Sequence, residues 1–163
     1  MIARADSGGS PLLTATGAAV GLAGFVFVGV GLWARREAAR ALAQERISSP
    51  LDETQVTSGP AARSLAEFIR RNTLVATGGR TYAEVDAYLD ADGRPTPDSA
   101  VAVKDELTGR PVENPDHDLW IQSTTLQSAL MQAYMASRLA ELTVALGAAF
   151  VAVGAGLASA GRR

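Results

Sequence analysis

The 163-residue chain has no cysteine, one histidine and one lysine, and only 6% of its residues are aromatic. Without cysteine there is no disulfide, no thiolate metal site, no cysteine nucleophile and no S-acylation. The redox compartment stays open, because an oxidising space does not require cysteine. With His117 alone, no site that draws two imidazoles from one chain can form. That removes the two-His-one-carboxylate iron centre. Gly78-Gly79 lacks the Lys-Ser/Thr of a P-loop, so no phosphate loop is present. A formal net charge of -2 provides no basic excess, and no nucleic-acid partner is expected.

Charge is missing altogether from two long runs. Leu12–Trp33 is 22 residues without an ionisable side chain, and Leu142–Gly161 is 20. A helix rises about 1.5 Å per residue, so about 20 apolar residues cross a bilayer. Thr14 and Thr16 do not forbid burial in lipid, because each hydroxyl can bond a carbonyl one turn back. A cleaved secretory leader is the competing reading of the first run. Its apolar core is usually about 7–15 residues and ends in a small-x-small site. Here the run is longer and ends in Trp33-Ala34-Arg35-Arg36. The competing reading of the second is a buried helix, but a chain of this length has no large core to hide it. Both runs are therefore read as transmembrane helices. Residues 1–11 are then a short tail, 12–33 and 142–161 the spans, 34–141 the extramembrane region and 162–163 a second tail.

Both spans are rich in small residues, which let helices approach closely in lipid. Gly17-x-x-x-Gly21 forms one four-residue step, and Ala148, Ala152, Gly156 and Ala160 continue that spacing in the second span. In an antiparallel pair with matched depth, Gly17 faces Gly156 and Gly21 faces Ala152. Gly17, Gly21, Ala148, Ala152 and Gly156 are thus the expected helix-packing residues. The competing reading is that such spacing arises by chance in Gly- and Ala-rich helices.

Between the spans the chain is polar but not low in complexity. Arg35 to Arg46 is made of strong helix formers and continues the first helix until Ser48-Ser49-Pro50. Ser58-Gly59-Pro60 starts a helix with Leu65, Phe68, Ile69 and Leu74 on one face, and Thr77-Gly78-Gly79 stops it. Thr81-Tyr82-Ala83-Glu84 fits a capping box for a second short helix ending near Asp90-Ala91-Asp92-Gly93. Thr96-Pro97-Asp98 resembles another helix start and Thr108-Gly109-Arg110-Pro111 another stop. Asn114-Pro115-Asp116 caps a last helix, which meets no glycine before Gly147 and no proline before the C-terminus. No stretch alternates long enough to read as a strand.

Candidate chemistry is sparse. Asp90-Ala91-Asp92-Gly93 matches the middle of a calcium loop, but Tyr88 and Ser99 stand where two main ligands belong. His117 between Asp116 and Asp118 would need further ligands from elsewhere, and acids also collect at helix starts for electrostatic reasons. No serine can be placed beside it for a catalytic triad. Neither a catalytic residue nor a metal or cofactor site is expected. Trp33 and Tyr134 lie near the span boundaries as candidate interfacial anchors. Trp120 is either core of the extramembrane cap or a possible partner contact. Glu141, at the entry to the second span, either has a function there or pairs with Arg138.

The stretch Thr73-Leu74-Val75-Ala76-Thr77-Gly78-Gly79-Arg80-Thr81-Tyr82-Ala83-Glu84 resembles small actinobacterial two-span membrane proteins that carry ATGG-x-TYAE between their spans. Leu126 to Glu141 is similar to that family's entry into its second span. Members are often labelled aromatic-ring-opening dioxygenases. The resemblance implies a membrane hairpin with both termini inside and an extracytoplasmic loop. It supplies no catalytic residues. Local charge points the other way: Arg35, Arg36, Arg40, Arg46 and Arg138 on the loop side outnumber Arg4, Arg162 and Arg163 at the termini. The loop is roughly 100 residues, and the charge rule applies best below about 60.

The reading is an all-α protein, an antiparallel two-helix transmembrane hairpin with long helical extensions and a small helical cap. The expected setting is the cell membrane, with the lipid bilayer and other membrane proteins as partners. The expected function is that of a non-enzymatic structural or accessory subunit. The alternative is a membrane-anchored module whose cap binds a ligand or peptide.

Overall fold

The computed structural model describes residues 9–50 and 54–163. Arg4, most of the N-terminal tail and positions 51–53 of the linker lie outside the described residues. The described part is built on three α-helices: α1 (Pro11–Gln44), α2 (Gly59–Ala76) and α3 (Pro115–Ala160). The residues fall into two compact units. One takes the chain up to Ser48, Gln55–Gly59 and Met135–Arg163; the other takes Ser49–Thr54 and Pro60–Tyr134.

The first unit holds the two apolar runs as a packed antiparallel pair. Helix α1 starts where Pro11 follows Ser10, whose hydroxyl accepts the Leu13 N–H. Helix formers carry it past the apolar run to Gln44, and Arg46 then adopts a left-handed φ of 51°. The Gln55 side-chain amide donates to the Ala43 carbonyl at 2.9 Å, satisfying an end carbonyl of α1. Val56, fully buried, donates its N–H to the Ile47 carbonyl at 2.8 Å.

The apolar windows of α1 and α3 are only 17% and 11% buried. Leu22, Phe25, Val26 and Leu142 are each about two-thirds exposed. Both helices are long and apolar enough to cross a membrane. Neither is the covered core helix of a globular domain, because most of its apolar surface faces outward.

The second unit has a small core of its own. Ala62, Leu65 and Ala66 of α2 are buried, as are Trp120 and Leu130 of α3. Helix α2 stops where Gly78 and Gly79 take positive φ, and the Gly79 N–H returns to the Leu74 carbonyl. Phe68 and Ile69 are half-buried, as their spacing predicts.

Beyond the turn of 3-10 helix at Tyr82–Glu84, the expected helices are not formed. Instead β1 (Tyr88–Leu89) pairs antiparallel with β2 (Pro95–Thr96) around the Asp90–Gly93 turn. The Leu89 N–H donates to Val112, the Val103 N–H to Leu89 and the Val112 N–H to Val103, which ties three extended segments together. Three aspartates explain the correction. Asp90 Oδ1 accepts the amides of Asp92 and Arg94 at 2.9 and 2.8 Å. Asp98 accepts that of Ala100 at 2.8 Å, and Asp105 accepts the amide and hydroxyl of Thr108, each at 2.7 Å. Short carboxylates that satisfy nearby amides stabilise turns in competition with helix. Gly93 and Gly109 supply the left-handed φ those turns require.

Candidate functional site

The residues brought together most tightly form the seam between α1 and the second half of α3. Gly17, Gly24 and Gly31 of α1 are buried, seven residues apart. Facing them in the opposite direction stand Gly154, Gly147 and Ala140, also seven apart and buried. A Cβ built on Gly24 would lie 2.6 Å from the Gly147 carbonyl oxygen and 2.7 Å from the Val151 nitrogen. One on Gly147 would lie 2.7 Å from the Gly24 oxygen and from the Val28 nitrogen. One on Gly17 would lie 2.6 Å from the Gly154 oxygen, and one on Gly31 2.9 Å from that of Ala140. Backbone thus approaches backbone, and a Cβ has no room at these glycines. Phe27 and Phe150 add an edge-to-face contact at 5.8 Å.

This corrects the register read from the four-residue steps. Gly17 does lie in the seam, but it meets Gly154 rather than Gly156. Gly21 also lies in the seam, since a Cβ on Gly154 would lie 2.5 Å from the Gly21 nitrogen, but it meets Gly154 rather than Ala152. Nothing lies within 4 Å of a Cβ at Gly156, and Ala148 and Ala152 are exposed. A seven-residue repeat gives 3.5 residues per turn, the periodicity of a gently left-handed helix pair. Four-residue steps suit the steeper right-handed crossing instead.

In the second unit, Trp120 is 3% exposed, and its indole N–H donates to the Arg80 carbonyl at 3.1 Å. It is core of that unit, not an exposed contact for a partner. The Thr77 hydroxyl lies 2.8 Å from the same carbonyl. Arg80 pairs with Asp116 at the start of α3, and His117 stacks on Tyr82 with ring centroids 5.0 Å apart. Asn114 caps α3 by accepting the Asp116 N–H while donating to the Asp86 carbonyl at 2.8 Å. Among the described residues no three ligating side chains are grouped to hold a metal ion.

Glu84 accepts both the N–H and the hydroxyl of Thr81 at 2.7 Å. Those bonds hold its carboxyl below the usual carboxylate range. Asp105 is held low by the Thr108 hydroxyl and amide in the same way. Arg63 is raised by its bonds to Glu67 and Tyr134, and its guanidinium lies 5.4 Å from the Tyr134 ring centre. Glu141 pairs with Arg138 at 2.6 Å.

Two open grooves flank the contact of α2 with the first half of α3. One, of about 350 Å³, is lined by Ile69, Ala76, Leu119 and Leu126 with Asn72 and Gln122. The other, of about 460 Å³, has Arg63, Glu67 and Arg70 facing Gln127, Met131 and Tyr134. No family model matches the chain, and no curated protein or solved structure matches it.

Proposed function

We propose that the chain is a two-span integral protein of the cell membrane that serves as a non-enzymatic structural or accessory subunit of a larger membrane assembly. The observation that carries the reading is the combination of a glycine-lined inner seam with an uncovered apolar outside. The two helices satisfy each other along one narrow face and leave Leu22, Phe25, Val26, Val30, Leu142 and Val153 more than half exposed. In water so large an apolar surface drives association, whereas lipid or another membrane protein covers it without cost. The extramembrane region lies outside the cytoplasm in this reading, as the ATGG-x-TYAE resemblance implies.

Purification in a mild detergent tests the subunit role. Stoichiometric membrane proteins should accompany the chain and survive a salt wash. A bare chain at every detergent concentration would contradict the role. The α2–α3 grooves favour a second reading, a membrane-anchored binding module. On that reading, Leu119→Glu and Ile69→Glu abolish peptide or ligand capture and leave membrane partners in place.

A further inference from the structure

We propose that the outer face of α1 carries a docking site for an anionic phospholipid, with an acyl chain over Gly29 and the headgroup phosphate at Arg36 and Arg40. The site rests on the reading of α1 as a membrane span.

Successive helix residues turn by about 100°, so Phe25, Gly29, Trp33, Arg36 and Arg40 form one stripe, stepping by three or four. That stripe lies opposite Gly17, Gly24 and Gly31, which are consumed by α3. Gly29 differs from those three. A Cβ there would meet nothing within 4 Å. Helix packing therefore gives no reason for a glycine, which costs a helix interior about 0.5–1 kcal/mol relative to alanine.

What Gly29 does create is a bare strip of backbone between two projecting rings. Phe25 is 64% exposed on one side of it and Trp33 62% on the other. The strip is walled by aromatic surface and bordered by Val26, Val30 and Leu32, all exposed. An acyl chain fits its chemistry. Trp33 stands at the end of the uncharged run, the position of an interfacial indole. One and two turns beyond it stand Arg36 and Arg40, both exposed. Glu37 bonds Arg40 loosely, at 3.4 Å between exposed groups, and leaves most of that guanidinium open to a phosphate. A guanidinium pair of this kind binds phosphate oxygens bidentately, and the apolar strip ends where it begins. The charge complementarity selects an anionic lipid over a zwitterionic one.

Quenching of Trp33 fluorescence by bromine-labelled acyl chains tests the site. The full chain is reconstituted in phosphatidylcholine vesicles in which either a phosphatidylcholine or a phosphatidylglycerol minority carries the bromines. Trp33→Phe supplies the background from Trp120. Brominated phosphatidylglycerol should quench Trp33 at about a five- to thirtyfold lower mole fraction than brominated phosphatidylcholine, the factors that one and two open arginines provide at a charged surface. The double variant Arg36→Gln, Arg40→Gln should bring the two lipids level, and Gly29→Leu should weaken quenching by both. Equal quenching of the unaltered protein by both lipids would overturn the proposal and leave the membrane span standing. Quenching by neither would overturn the span itself, and the proposal with it.

Discussion

The glycines of the two long helices divide into those that cannot gain a side chain and those that can. At Gly24 and Gly147 the first added carbon meets backbone atoms under 3 Å away, and backbone cannot yield as a flexible side chain does. Gly24→Leu and Gly147→Leu should each cost about 1–3 kcal/mol or part the helices, as overpacking does in a close-packed interior. Gly156→Leu, with open space around it, should leave thermal stability in detergent unchanged. Equal losses at positions 24 and 156 would disprove the seam. A second pair of substitutions separates core from decoration in the other unit. Trp120→Ala removes a buried ring and its bond to Arg80, and should cost about 3–5 kcal/mol. His117→Ala removes one stacked, half-exposed ring and should cost about 1 kcal/mol or less. Urea titration of the two variants side by side checks the contrast. A His117→Ala protein that is stable and assembled yet biologically dead would contradict the non-enzymatic reading.

At the scale of elements, the seam fixes which positions of α1 and α3 meet. Val28 and Val144 each border the glycine of the other helix's layer, since Cβ atoms on Gly147 and Gly31 would touch them. Cysteines at 28 and 144 should crosslink in membranes far faster than cysteines at 26 and 146, whose side chains are exposed. Equal rates would show that the register is wrong. Turns in the other unit make a pH prediction. Glu84 and Asp105 have depressed folded values because they accept bonds from Thr81 and Thr108. A depressed carboxyl contributes stability that is complete above its unfolded value and is lost as pH falls through the folded one. The turns should therefore weaken on acidification below about pH 4, and Glu84→Gln with Asp105→Asn should flatten that slope. Trp120 emission against pH reads it out.

These elements also show what the sequence reveals and what it hides. The three helices are legible because caps and breakers flank long periodic runs: Ser10-Pro11, Gly78-Gly79 and Asn114-Pro115 stand where the chain starts or stops. The register is less legible. Gly17, Gly24 and Gly31 are seven apart, as are Gly147, Gly154 and Gly161, but the same helices also carry small residues at four-residue steps. Only the crossing of the two helices decides between them. From Val85 to Asn114 the sequence hides the fold, because Thr96-Pro97-Asp98 has the residues of a helix cap. In the fold the Asp98 carboxylate closes a turn onto Ala100 instead, and the chain pairs only beyond it, where the Val103 N–H donates to the Leu89 carbonyl.

The whole molecule, on this account, crosses a bilayer twice and returns both ends to one side. The charge near the loop, from Arg35 to Arg46, argues for a cytoplasmic loop, and the family resemblance for the opposite. Labelling from one side of the membrane decides this and tests the double crossing at the same time. Single cysteines are placed at Asp6, Thr57 and Arg163, and intact cells are treated with a membrane-impermeant maleimide before and after permeabilisation. The account predicts labelling at position 57 alone in intact cells, and at all three once the membrane is opened. Labelling of positions 6 and 163 but not 57 would keep the hairpin and invert it. Unlike labelling of positions 6 and 163, or the same response at all three, would contradict two membrane crossings.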